Sequence, residues 1–197
     1  MHPTLVRLHH LAPNRIGGMA EQILNPLAAG ALEGKRALVT GSSRGTGADT
    51  VKFLAQAGAK VVVNYRNKEA RAIKLVDAIA ADGGTAIAVG ADLTDEASRQ
   101  ELFATIDREY GGLDVLVLNA SGGMESGLGE DYALKLNRDA QVDTLKGALE
   151  LMRDGGRVVF VTSHQAHFIR TTPTMPEYEA VASSKRAGED ALLALVP

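Results

Sequence analysis

The sequence predicts an α/β fold built on a parallel sheet with helices on both faces. Two observations carry this. Short apolar runs bounded by Gly, Asn or Asp alternate strictly with stretches of helical period, which implies successive right-handed βαβ units. One of those runs, Leu113 to Leu118 (LDVLVL), is almost wholly apolar, as a strand buried on both faces should be.

The elements follow in order. Arg36 to Thr40 reads as a first strand, and Gly45 to Ala57 as a helix burying Val51, Leu54 and Ala55, closed by Gly58 in the C-cap region. The β-branched run Lys60 to Tyr65 (KVVVNY) is a second strand. Lys68 to Ala81 is a helix with Ile73, Val76 and Ile79 on one face, ended by Gly83-Gly84. Thr85 to Val89 is a third strand. Thr94 is the expected cap of a helix reaching about Tyr110, with Asp95 and Glu96 at its positive end and Leu102, Phe103 and Ile106 inward. After the fourth strand comes a glycine-rich loop, Ser121 to Gly129, then a long helix from Glu130 to Met152. Gly156 to Thr162 is the fifth strand. A last helix spans Glu177 to Leu195, with Pro176 suited to its first turn.

Composition narrows the class of function. The 197 residues, 45% of them hydrophobic, suit one domain with its own core. There is no cysteine, which excludes disulfide frameworks, thiolate metal sites and a thiol nucleophile. A net charge of −3 gives no basic excess for nucleic acid. No run approaches the ~18 apolar residues of a membrane span. Residues 1–33 are read as a flexible extension, with Met19 as an alternative start, and 34–197 as the folded domain. No secretory leader is evident, and a cytoplasmic protein is expected.

The chemistry begins at the first βα turn, Thr40-Gly41-Ser42-Ser43-Arg44-Gly45-Thr46-Gly47. Glycines there let the backbone approach a pyrophosphate, and the helix that follows aims free N–H groups at that anion. The spacing is Gly-x3-Gly-x-Gly, and no Gly-Lys-Ser/Thr follows, so it is not a P-loop. A dinucleotide site is the expectation. At the end of the second strand, Asn64-Tyr65-Arg66-Asn67 carries no carboxylate for a ribose 2′-hydroxyl. Arg44 and Arg66 instead offer two cations to a 2′-phosphate, so NADP(H) is expected over NAD(H).

From this point the sequence resembles the short-chain dehydrogenase/reductase family over residues 34–197. Thr-Gly-x3-Gly-x-Gly at Thr40–Gly47 is its cofactor turn, with Thr46 where a branched aliphatic is usual. Asp92-Leu93 resembles the adenine-contacting segment. Asn119-Ala120-Ser121-Gly122 resembles the family's Asn-Ala-Gly, with Ser121 inserted. Asn137 matches the helix asparagine of the catalytic tetrad, Ser163 the serine that ends the fifth strand, and Lys185 the lysine of the last helix.

The resemblance implies a Rossmann-type doubly wound sheet of order 3-2-1-4-5, with the family's sixth and seventh strands missing and the fifth strand left as an apolar edge. The implied cofactor contacts are Gly41, Ser43, Arg44, Gly45, Thr46, Gly47, Tyr65, Arg66, Asp92, Leu93, Asn119, Ala120, Ser121 and Lys185. It also implies hydride exchange between NADP(H) and a ketone or secondary alcohol, and a homodimer or homotetramer. A catalytically weak or inactive NADP-binding protein is the alternative.

One departure bears on catalysis. The family pairs a proton-donating Tyr with Lys one helical turn later. Here Val181 stands four residues before Lys185, and the nearest tyrosine is Tyr178, seven before it. Two turns separate side chains by ~10.5 Å along a helix, too far for a cation to lower a phenol pKa as effectively. Either Tyr178 precedes the helix and swings into the donor position, or Val181 fills the tyrosine site and donation is impaired or passes to another group. His164 and His167 are read as loop residues near the substrate; no acidic or third histidine partner is evident, so no metal site is predicted. Glu125 is read as solvated.

Overall fold

The computed structural model describes residues 25–124 and 131–195; Glu125 lies outside them. Five parallel strands stand in the order β3-β2-β1-β4-β5: β1 (Arg36–Val39), β2 (Lys60–Tyr65), β3 (Thr85–Gly90), β4 (Leu113–Leu118) and β5 (Met152–Phe160). This is the predicted Rossmann-type sheet. Strand alternation divides the core into two layers. Leu38, Val62, Leu116 and Leu118 face α3 (Glu96–Tyr110), α5 (Ala140–Leu151) and α7 (Glu179–Leu193). Ala37, Val39, Val61, Val63 and Val117 face α1 (Gly45–Gln56) and α2 (Glu69–Ala81).

The open end of the sheet is tied below by charge. Arg36 at the start of β1 donates from Nε to Asp114 of β4 at 2.6 Å, and its backbone N–H reaches the same oxygen at 2.9 Å. These bonds hold the Asp114 carboxyl below its ordinary value. Further upstream, Leu32 donates its backbone N–H to the Ala57 carbonyl, and Asn25 its side-chain amide to the Phe53 carbonyl. Residues 25–32 thus pack on the end of α1.

Several local expectations are corrected. In α2 the buried stripe is Ala72, Leu75 and Ile79, while Ile73 is 47% exposed; the face repeats at i, i+3, i+7 rather than i, i+3, i+6. Asp95, not Thr94, caps α3, accepting from the Ser98 N–H at 2.7 Å; Thr94 is held by Asp92. The predicted helix from Glu130 to Met152 is interrupted. A short α4 (Tyr132–Leu134) runs into a π-helical segment, Lys135–Asp139, before α5 begins. Strand β5 starts earlier than expected, at Met152, with a register shift opposite Leu113 and Val115. Residues expected to be loop form α6 (His164–Phe168). The last helix begins at Glu179, after a 3-10 turn at Pro176–Tyr178.

Candidate active site

The C-terminal ends of the strands carry the site, as in open α/β sheets generally. The glycine turn between β1 and α1 is built by long-range polar bonds. The Asn64 side chain, buried at the end of β2, accepts the Gly41 N–H at 3.0 Å and donates to the carbonyls of Val89 and Ala91. Ser42 exchanges bonds with the Asn64 backbone and donates to the Val39 carbonyl. From the other side, Thr40 Oγ1 accepts the N–H groups of Asn119 and Ala120, and Asn119 Nδ2 donates to the carbonyls of Thr40 and Gly41.

Close approach explains two of the glycines. A Cβ on Gly41, at φ +61°, would lie 2.9 Å from Ala120 Cα; one on Gly47 would lie 2.6 Å from Asn119 Nδ2. Gly45, at φ +56°, has nothing within 4 Å of such a Cβ. The turn is therefore tight against the protein at Gly41 and Gly47 and open at Gly45, where Arg44 and Thr46 are also exposed. That opening, at the N-terminus of a twelve-residue helix, fits a pyrophosphate.

The end of β2 is more constrained than the sequence suggested. Tyr65 is half-buried, and its hydroxyl donates to Glu69 at 3.0 Å; burial first, then this bond, raise its pKa. Arg66 is exposed but engaged: its guanidinium lies over the Tyr132 ring, 5.5 Å from the centroid, and hydrogen-bonds the Tyr132 hydroxyl. Asp92 Oδ1 accepts from both the N–H and the hydroxyl of Thr94, and Leu93 beside it is buried. Asn119, Ala120 and Ser121 continue from β4 beside the glycine turn, with Ser121 exposed.

Across the site, Asn137 lies in the π-helical segment and is almost wholly buried. Its amide donates to the Gly122 carbonyl and to Ser184 Oγ, both at 2.9 Å, and accepts the Gly122 N–H at 3.2 Å. Helix α7 packs unusually close here: a Cβ on Gly188 would lie 2.2 Å from the Asn137 carbonyl oxygen. The π segment thus aims Asn137 at the loop after β4 and at α7 simultaneously. Such single-turn insertions often mark functional positions.

Lys185 of α7 is buried, and its ammonium donates to the Val161 carbonyl at 3.3 Å. Burial pushes its pKa down to about 8, opposed by the Glu189 carboxylate one turn later. Ser163 follows β5 by three residues; its Oγ accepts the Ala166 N–H at 3.2 Å and caps α6.

Tyr178 is half-buried at the end of the 3-10 turn, outside α7, and its N–H is held by the Met175 carbonyl. Val181 occupies the position one turn before Lys185 and is buried, close enough to Gly123 that a Cβ there would lie 3.2 Å from its Cγ2. The structure brings Asn137, Ser184 and the loop after β4 together, and Lys185 to the end of β5. Tyr178 stays two turns from Lys185.

Sequence reasoning missed four supporting residues. Asn64 had a signal, a lone amide in an apolar strand. Thr40 was legible only as a motif letter. Gln141, fully buried in α5, donates to the carbonyls of Ala120 and Leu136. Glu189 was invisible. It also corrects the reading of His167, whose Nδ1 lies 3.6 Å from Glu189 Oε2, so an acidic partner is present. Among the described residues no group of three His, Asp or Glu is placed to hold a metal ion. No helix among them is long and apolar enough to cross a membrane.

A glycine turn opening onto a helix N-terminus, at the end of a sheet ordered 3-2-1-4-5, defines a dinucleotide-binding Rossmann-type domain. Comparison with known proteins narrows the class. The short chain dehydrogenase family profile matches residues 35–193, and the chain belongs to that family.

Among relatives, versicolorin reductase 1 of Aspergillus parasiticus is 35% identical over 162 residues, covering 79% of this chain and 60% of that protein. A hydroxynaphthalene reductase-like protein of Metarhizium robertsii is 38% identical over 164 residues, covering 80% and 60%. Of solved structures, a short chain dehydrogenase from Burkholderia cenocepacia in complex with NADP is 36% identical, with a TM-score of 0.70, covering 79% of this chain and 64% of that one. The angucycline C-6 ketoreductase LanV with bound NADP is 33% identical, with a TM-score of 0.71, covering 83% and 66%. The chain spans about 60% of the length of the curated relatives it matches.

Proposed function

We propose that this chain is an NADP(H)-dependent oxidoreductase that exchanges a hydride with a ketone or secondary alcohol. The observation that carries the reading is the buried Lys185 ammonium at the end of β5, in the same sheet whose β1–α1 turn opens at Gly45. NADPH, when bound, supplies the hydride. The chain's residues do the rest. The open turn and the α1 N–H groups receive the pyrophosphate. Arg44 and Arg66 attract the 2′-phosphate, and no carboxylate at Asn64–Asn67 repels it. Asp92-Leu93 and Asn119–Ser121 flank the adenosine and ribose, and Lys185 binds the nicotinamide ribose.

Ser163 has a hydroxyl proton to donate to the carbonyl oxygen, because its own oxygen is the acceptor in the α6 cap. Asn137 holds the loop and the proton-relay side, and Tyr178 is the proposed proton donor. The names of the relatives, a versicolorin reductase, a hydroxynaphthalene reductase-like protein and an angucycline ketoreductase, support a polycyclic phenolic ketone as substrate. Assembly as a homodimer or homotetramer rests on the family resemblance.

A second reading, an NADP-binding chain with little or no turnover, is favoured by Val181 one turn before Lys185. NADPH titration and NADPH oxidation with a panel of hydroxylated naphthalene and anthracene ketones separate the two. Binding with turnover, abolished in Tyr178→Phe, is expected. Binding without turnover supports the second reading, and turnover that survives Tyr178→Phe removes Tyr178 as donor. Arg66→Ala should weaken NADPH binding about tenfold or more and leave NADH binding unchanged, the loss of one charge-assisted contact. Equal losses for both cofactors would overturn the assignment.

A further inference from the structure

One buried carboxylate has no part in the scheme above. Glu189 lies one helical turn after Lys185, on the same face of α7, and its side chain is only 7% exposed. A carboxylate so buried needs partners, or its desolvation would favour the neutral acid. It has them from three elements. Thr162, two residues beyond β5, donates its hydroxyl to Oε1 at 2.5 Å. Arg186 of α7 donates to Oε2 at 3.0 Å. His167 of α6 presents Nδ1 to Oε2 at 3.6 Å.

A second layer surrounds these. Arg186 also pairs with Asp190 at 3.0 Å, and Arg170, two residues beyond α6, with Asp190 at 2.5 Å. The titratable or charged groups placed around Glu189 are therefore Lys185 and Arg186 on α7 and His167 on α6, with Arg170 and Asp190 adjoining.

The placement of these contacts is specific. Thr162 stands between Val161, whose carbonyl accepts from Lys185, and Ser163, which caps α6. One carboxylate thus fixes the residue joining Ser163 to the carbonyl that holds Lys185, and it sits one turn from Lys185 itself. We infer that Glu189 is a positioning residue: it clamps the Val161–Ser163 segment that follows β5 and the α6 side onto α7, and supplies the counter-charge that keeps buried Lys185 protonated. The opposition between Lys185 burial and the Glu189 charge agrees with this. The inference rests on the proposed function for the role of Lys185, but its test does not.

The test is the protonation midpoint of Lys185 in the full chain, read without turnover. Competitive acetylation across pH, quantified by mass spectrometry of the Lys185 peptide, gives the midpoint directly. Glu189→Gln keeps an oxygen for Thr162 and removes only the charge. It should lower the midpoint by about one pH unit, a tenfold loss of proton affinity. Arg186→Met removes the cation that competes for Glu189 and should raise the midpoint. Thr162→Val leaves the charge and should leave the midpoint unchanged.

An unmoved midpoint in folded Glu189→Gln overturns the inference. If that variant does not fold, the double variant Glu189→Met/Thr162→Val, which removes the charge together with the hydroxyl it accepts from, decides in its place: a fall supports the inference, and no change or a rise overturns it. NADPH titration of the wild type runs in parallel. Failure to bind NADPH sinks the proposed function while the midpoints still decide the role of Glu189.

Discussion

Replacing Lys185 by Met should make the folded chain more stable at neutral pH while removing its capacity to bind NADPH. Lys185 is buried, and its pKa falls from the ordinary 10.5 to about 8. The folded state therefore disfavours the charged form. At about 1.4 kcal/mol per pH unit, keeping it charged costs about 3 kcal/mol below pH 8. Methionine preserves most of the aliphatic stem and removes that cost. It also forfeits the bond to the Val161 carbonyl, worth about 1 kcal/mol. The variant should therefore gain about 2 kcal/mol at neutral pH.

The sign has a pH signature. Between the folded and unfolded pKa the unfolded chain binds more protons, so wild-type stability rises with pH over that window. The penalty is fully present below about 8 and gone above about 10.5. The advantage of Lys185→Met should shrink across the same interval and turn into a deficit of about 1 kcal/mol, the lost hydrogen bond. Urea unfolding followed by circular dichroism, at matched points from about pH 7 to about pH 10, measures both chains; their difference cancels groups that titrate alike in each. A difference that stays constant with pH, or a variant less stable at neutral pH, refutes the reasoning.

The glycine turn and the base of the sheet give two further expectations. Gly47→Ala should destabilise the fold by roughly 1–3 kcal/mol, because its Cβ would press within 2.8 Å of Ser42 Cα. Gly45→Ala meets no atom within 4 Å, so it should cost only the roughly 1–2 kcal/mol of a positive φ yet weaken NADPH binding; thermal melts should show the larger loss in Gly47→Ala, and NADPH titrations the larger loss in Gly45→Ala. Arg36→Met strands Asp114, whose depressed pKa gives stability that is present above its ordinary 3.8 and lost as pH falls through the lower folded value. That variant should lose about 3 kcal/mol at neutral pH and show a shallower acid limb in urea titrations; an unchanged acid limb would place the lost stability elsewhere.

What was legible in the sequence was what local chemistry encodes. The alternation of strands and helices, the glycine turn and the inward face of α3 follow from periodicity and from residues a few positions apart, whereas the strand order and the lysine of α7 came through the family resemblance. What was not legible depends on partners far along the chain. Thr40 meets Asn119 across 79 residues, Asn64 meets Gly41 across 23, and Asn137 meets Ser184 across 47. No local pattern announces a π segment either. Its extra residue at Lys135–Asp139 is paid for by the Asn137 bonds and by the close approach of Gly188, which only the packed helices reveal.

Val181 runs the other way. The sequence already set it apart, and the fold does not repair the departure. Val181 is buried within α7 one turn before Lys185. Tyr178 belongs to a separate turn whose backbone is anchored to Met175. A backbone movement that carries the Tyr178 phenol toward the end of β5 runs through residues 175–178, the turn that precedes α7. Pro176 already stiffens the start of that turn, so loosening it, by Pro176→Gly, would change the rate of a swinging donor. A donor fixed elsewhere would be unaffected. Turnover in that variant, read against unchanged NADPH binding, distinguishes a mobile Tyr178 from a site in which Val181 simply replaces the donor.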